Sequence, residues 1–136
     1  MHDENASRLD GVSGHAGLFA SARDMLAIAD WFVARWHGAD GPTAERWSRE
    51  FTRRQDLPPG SSRALGWDTP SEGSSAGTRL GPESFGHTGF TGTSIWIDPG
   101  RKLAIVLLSN RVHPTRQNPR WGPVRAGVAD RVSAVC

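Results

Sequence analysis

The sequence has no tyrosine, one cysteine and one lysine. Each scarcity removes a class of chemistry. With Cys136 alone, no intrachain disulfide can form, so cysteine usage says nothing about the redox compartment. A single thiol at the chain terminus cannot complete a zinc site. The histidines His2, His15, His37, His87 and His113 contain no His-Glu-x-x-His or other close ligand pair, so no metal site is expected. Lys102 is the only lysine, and the formal net charge is just +2. A field that weak draws the chain neither to nucleic acid nor to acidic membranes. No apolar run approaches the length needed to cross a bilayer. Met1-His2-Asp3-Glu4-Asn5 is not the start of a signal or transit peptide, so localisation stays open.

Within those limits lies an ordinary globular composition. Hydrophobic residues make up 37% and charged residues 22% of 136 residues, which suits one folded domain. Sixteen glycines and nine prolines imply many turns. Residues 1–20 read as a loop, polar and then glycine-rich. Ser21 and Asp24 form a capping box for a helix over Ala22–His37, with Met25, Ile28, Ala29, Phe32 and Trp36 at helical spacing and Gly38 as its stop. A second helix is expected over Thr43–Glu50, with a thin apolar face of Trp47 and Phe51. Ala64–Asp68 reads as a short strand, and Thr69–Pro82 as a long polar loop.

The stretch Ser84–Gly100 then combines a histidine, hydroxyls and glycines with an alternating apolar segment. It reads as one strand from Phe85–His87 through Thr93–Ile97. Asp98-Pro99-Gly100-Arg101 follows as a turn with positive φ on the glycine. Leu103–Leu108 is a continuous apolar run, the pattern of a strand buried on both faces. A closing helix over Pro123–Val135 places Val124, Val128, Val132 and Val135 on one stripe.

Most chemical constellations in the chain are weak. Gly73-Ser74-Ser75-Ala76-Gly77 matches a nucleophile elbow in letters only, because no buried strand precedes it and no helix follows. Arg111, Arg116, Arg120, Arg125 and Arg131 lack the net charge and interleaved aromatics of a nucleic-acid patch and read as a solvated surface. The Gly-rich strand around His87 is where something can come close to the backbone.

Several segments, in order, resemble the serine β-lactamase and penicillin-binding-protein superfamily, in its class C-like branch. These are His2–Ala6 with Gly11–Phe19, Leu65-Gly66-Trp67-Asp68-Thr69-Pro70, Phe85-Gly86-His87-Thr88-Gly89-Phe90-Thr91-Gly92, and Leu108-Ser109-Asn110-Arg111-Val112-His113-Pro114. Members of that family acylate the serine of a Ser-x-x-Lys motif, use a Tyr-x-Asn element, and line one wall with Lys-Thr-Gly or His-Thr-Gly. Here only the wall is present, as His87-Thr88-Gly89. No serine has a lysine three residues on, and there is no tyrosine.

The resemblance implies an α+β, three-layer fold, an antiparallel sheet flanked by helices, β-lactamase/DD-peptidase-like but incomplete. Residues 1–136 would be the C-terminal portion of one domain, with Met1 an internal start. It implies a substrate-binding role for His87, Thr88 and Gly89. Catalytic contributions would come from His87, as a positive or hydrogen-bonding group, and from the Phe90 N–H as an oxyanion donor. The partner is a small-molecule or peptide acyl substrate, together with the rest of the domain, and no cofactor is implied. Alone, the chain is predicted to be inactive, and to associate or be marginally stable through an open edge at Leu103–Leu108. The alternative is a non-catalytic module that binds a peptide or acyl ligand along His87–Thr93.

Overall fold

Asp3 decides where the first helix starts. Asp3 accepts the Ala6 N–H at 2.7 Å, which caps a short helix α1, Glu4–Arg8, inside the region expected to be loop. The computed structural model describes residues 3–136; Met1 and His2 lie outside the described residues. A glycine-rich loop leads to Ser21. Its hydroxyl accepts the Asp24 N–H at 3.3 Å, and the Asp24 carboxylate accepts the Ser21 N–H at 2.9 Å. This reciprocal cap starts α2, Ala22–Trp36, where the sequence places it. Its inward face differs at two positions: Ile28 is exposed, and Val33 joins Met25, Ala29 and Phe32 against the core.

Helix α3, Pro42–Thr52, starts one residue earlier and ends two later than expected. Proline suits its first turn, where the missing N–H costs nothing. Trp47 and Phe51 do not face the core: both are about half exposed, and Ser48 and Thr52 are buried instead. The Arg49 guanidinium lies 3.6 Å from the Trp36 ring centroid, fastening α3 to α2.

The sheet has three antiparallel strands in the order β1-β2-β3: β1, Phe85–Thr88; β2, Ser94–Asp98; β3, Leu103–Leu107. The expected single strand over residues 85–97 is thus two strands folded back on each other, with Phe85 opposite Ile97 and Thr88 opposite Ser94. The expected strand at Ala64–Asp68 is reduced to isolated bridges, Arg63 with Asp68 and Asp68 with Gly86. In the turn after β2 the positive φ falls on Lys102 (53°) rather than on Gly100. The Asp98 carboxylate closes that turn by accepting the Arg101 N–H at 3.2 Å.

Alternation divides the sheet into two faces. Phe85, Ile95 and Ile97 form a buried cluster with Ala29 of α2. Phe32, Trp67 and Phe85 meet there edge to face, with centroids 5.1 to 5.9 Å apart. Such pairs add about 0.5–1.5 kcal/mol each beyond their buried area. Trp96 and Ile105 are buried on the opposite face. The Trp96 indole N–H donates to Ser75 Oγ at 3.1 Å, so the serine of the elbow-like motif is a packing partner in a turn.

The last helix, α4, Trp121–Val135, packs against β3 and holds the Thr78 N–H through Asp130 at 2.6 Å. Its buried residues are Ala129 and Ser133, and the expected valine stripe points elsewhere: Val124 and Val135 are exposed. The result is a sheet with helices on both faces, as the α+β reading requires. β3, however, is an edge. Only Ile105 in it is fully buried, so the two-sided burial read from its composition does not occur.

Candidate functional site

The wall His87-Thr88-Gly89 occupies the end of β1 and the first residue beyond it. Gly86 presents its backbone outward: its carbonyl accepts the Asp68 N–H at 2.8 Å, and its N–H donates to the Asp68 carbonyl at 2.9 Å. By the period of two, Thr88 presents its backbone groups to the same outer edge, just past the point where Asp68 stops covering it. The Thr88 side chain is exposed.

His87 is exposed and held from both ring nitrogens. Nε2 lies 3.1 Å from Arg63 Nη1, and Nδ1 lies 3.0 Å from the Thr88 carbonyl oxygen. A guanidinium can only donate, so the neutral tautomer with its proton on Nδ1 satisfies both bonds. Fixed positive charge beside the wall therefore comes from Arg63, which sequence reading did not single out. Arg63 sits on the loop that covers the β1 edge, and nothing local in its sequence marks it.

Beyond Thr88 the chain turns through residues 89–93. Gly89 donates to the Thr93 carbonyl at 2.8 Å, and Gly92 donates to the Gly89 carbonyl at 3.1 Å. A methyl group on Gly89 would overlap Thr93 Oγ1, a hydroxyl that would have to turn away to make room. Gly86 is more tightly constrained: an added methyl would stand 2.5 Å from the Trp96 ring and closer still to the Ile95 carbonyl.

The carbonyls of this turn are held from outside. Arg125 Nη2 donates to those of Gly89 and Thr93, the latter at 2.9 Å, and Arg125 Nε donates to that of Gly92 at 3.3 Å. Trp121 Nε1 also reaches the Gly92 carbonyl, at 3.1 Å. Arg111 takes the Phe90 carbonyl through Nε at 2.7 Å and the Thr91 carbonyl through its backbone N–H at 2.8 Å. The Phe90 ring lies under the Arg111 guanidinium, 4.8 Å from its centroid. Two of the five arginines expected to form a solvated surface are therefore half-buried bonding partners of this turn. Burial lowers Arg125 below the ordinary guanidinium range, and the like charge of Arg111 adds to that. Among the described residues, the N–H groups of Phe90 and Thr91 have no partner.

The structure thus brings His87, Thr88, Gly89 and Phe90 together on one edge and adds Arg63, Arg111 and Arg125 around them. Among the described residues no three His, Cys, Asp or Glu side chains gather where a metal could be held, and no helix is long and apolar enough to cross a membrane.

The family model described as Beta-lactamase matches residues 1–130. Curated relatives called putative D-alanyl-D-alanine carboxypeptidase, from Salmonella paratyphi B, Salmonella newport and Salmonella dublin, are each 37% identical over 128 residues. Each alignment covers 90% of this chain and 29% of the relative, so the chain spans under a third of the length of these proteins. No solved structure matches the chain.

Proposed function

The chain belongs to the beta-lactamase family of serine hydrolases, and from that premise we propose that it forms the C-terminal wall of an acyl-enzyme site, taking its nucleophile from outside these 136 residues. The substrate is an amide or ester. One observation carries the reading. His87-Thr88-Gly89 ends a sheet edge that no strand or bridge covers from Thr88 onward, where only the His87 ring reaches the Thr88 carbonyl, and the unpaired amides of Phe90 and Thr91 follow it directly.

Each group then has a task its surroundings suit. An extended substrate lies along the outer side of Thr88, as an added strand. The Thr88 hydroxyl binds a substrate carboxylate or ester oxygen. The Phe90 N–H is one of two donors to the oxyanion that forms when the acyl carbonyl is attacked, a role worth about 2.7–4 kcal/mol in a complete site. His87, fixed by Arg63, projects from the opposite face of β1 to the Thr88 side chain and meets the substrate from that side. Serine attack, its activation and acyl transfer to water fall to residues this sequence lacks, since it contains neither Ser-x-x-Lys nor any tyrosine. The names of the relatives make a peptide ending in D-alanyl-D-alanine the first substrate to try.

Residues 1–136 are, on this reading, part of a single domain whose remaining strands pair with the outer side of β3. Labelling with a fluorescent penicillin tests it. The chain is treated alone, and again after mixing with a polypeptide from a relative that carries Ser-x-x-Lys. Label on the added polypeptide only when both are present is the expected result. Label on this chain alone overturns the proposal. Reversible binding of N-acetyl-D-alanyl-D-alanine with no label in either case favours a non-catalytic module that uses the His87–Thr93 segment, for which the open Thr88 edge is the supporting observation.

A further inference from the structure

A five-residue turn has five carbonyls and five amides, and its conformation follows from which of them are taken. In residues 89–93 every carbonyl is taken, three of them by one side chain. Arg125 reaches the carbonyls of Gly89, Gly92 and Thr93 from the second turn of α4. Trp121, four residues earlier and so on the same side of the helix, shares the Gly92 carbonyl. Arg125 has no carboxylate partner among the described ion pairs and lies near a second guanidinium, that of Arg111. A half-buried cation in those surroundings is disfavoured by desolvation and by like charge. What compensates it is the set of carbonyl dipoles it collects. A planar fork of donors can serve three acceptors in this way, whereas an ammonium on a flexible stem holds no such geometry.

We propose that Arg125 is the positioning residue of the wall: from α4 it fixes the turn after His87-Thr88-Gly89 so that the Phe90 and Thr91 amides stay unpaired and in place to bind an anionic oxygen. Its purpose rests on the serine-hydrolase reading; its effect on the turn does not. Without the guanidinium, the Gly89 and Thr93 carbonyls are held only by the turn's own Gly92 and Gly89 amides, and the Gly92 carbonyl only by Trp121, so the turn can open toward solvent. The Phe90 amide then loses its fixed direction, although the wall residues themselves are unchanged. Arg125 touches no reacting atom and acts through the backbone it holds.

Amide hydrogen exchange, followed by NMR on the full chain, tests the positioning. Arg125→Gln is expected to speed exchange at Gly89 and Gly92 at least tenfold while leaving Ile95 and Ile105 in the sheet unchanged. Arg125→Lys should fall between, and Trp121→Phe, which removes one donor to Gly92, should give a smaller change of the same kind. Unchanged exchange in the turn overturns the proposal, as does an equal rise at every amide in all three variants, the mark of a helix contact that merely stabilises the whole. A second readout links the clamp to binding. Titration with N-acetyl-D-alanyl-D-alanine should shift the Phe90 amide resonance, and Arg125→Gln should weaken that response at least fivefold, with partial recovery in Arg125→Lys. Should the unaltered chain not respond to the dipeptide, the functional reading fails, and the exchange pattern still decides the clamp.

Discussion

Along β1, Asp68 runs beside Gly86 and takes both of its outward backbone groups; along β3, five consecutive apolar residues have no strand or bridge on their outer side among the described residues. Both are edges of one small sheet, and they share the middle strand. β1 is four residues long, is bridged at Gly86, and passes straight into a turn held by arginines. Such an edge offers a second chain only a short register. β3 is longer and flat in composition, with half-exposed Leu103, Ala104, Val106 and Leu107 and no charge within it. The edge proposed to receive a substrate strand is short and guarded, and the longer edge is the one left uncovered among the described residues.

The contrast can be broken at β1 with the largest effect. Gly86→Ala forces a methyl group into the Trp96 ring and the Ile95 carbonyl, neither of which is a flexible tip. Overpacking of this kind costs about 1–3 kcal/mol, read as a lower urea midpoint, with faster exchange of the Asp68 and Gly86 amides. A wild-type midpoint would mean that the β1 edge has slack the structure does not reveal. Next, Leu107→Lys places a charge on the open edge. Self-association measured by sedimentation should weaken about tenfold, equivalent to roughly 1.4 kcal/mol. Thr88→Lys on the other edge should leave association unchanged. A chain that is already monomeric and melts cooperatively would remove β3 from the comparison altogether.

The smallest effect is a control remote from both edges. Hydrogen bonds from the Ser21 N–H and hydroxyl hold the Asp24 carboxyl below its ordinary value of 3.8. A folded value below the unfolded one means that the contribution is present above pH 3.8 and is lost as pH falls through the lower folded value. Asp24→Asn should therefore flatten the acid limb of the helix signal slightly and leave the difference between the two edges untouched. An acid limb of unchanged steepness would count against the cap as its source.

How much of this was legible in the sequence depended on distance along the chain. Helix α2 could be read because its signals are local: the Ser21–Asp24 box, the apolar spacing and Gly38 lie within 18 residues of one another. Helix α1 had such a signal in Asp3 and was still missed, since the glycines after it dominate that stretch. The turn at residues 89–93 could not be read locally. Glycine and threonine permit it, but Arg125 and Trp121, about 30 residues further on, hold it. Without them the alternation of residues 85–97 looks like one strand. The apolar composition of β3 fits a buried central strand, and composition alone does not say whether neighbours are present. His87-Thr88-Gly89 could be picked out as a motif, whereas the guanidinium beside His87, on Arg63, comes from a loop whose sequence carries no mark of the contact.

Lys102 has a practical consequence. It is the only lysine, it is exposed, and it sits in the turn between β2 and β3. Register puts that turn at the opposite end of the sheet from residues 89–93, because Asp98 pairs with Leu103 while Thr88 and Leu107 both pair with Ser94 at the other end. Amine-directed coupling above neutral pH therefore has a single side-chain target, separated from the His87 wall by the length of the strands. A dye placed on Lys102 would leave the edge around Thr88 unobstructed, so the side-chain label would report on the chain without crowding the His87 end of the sheet.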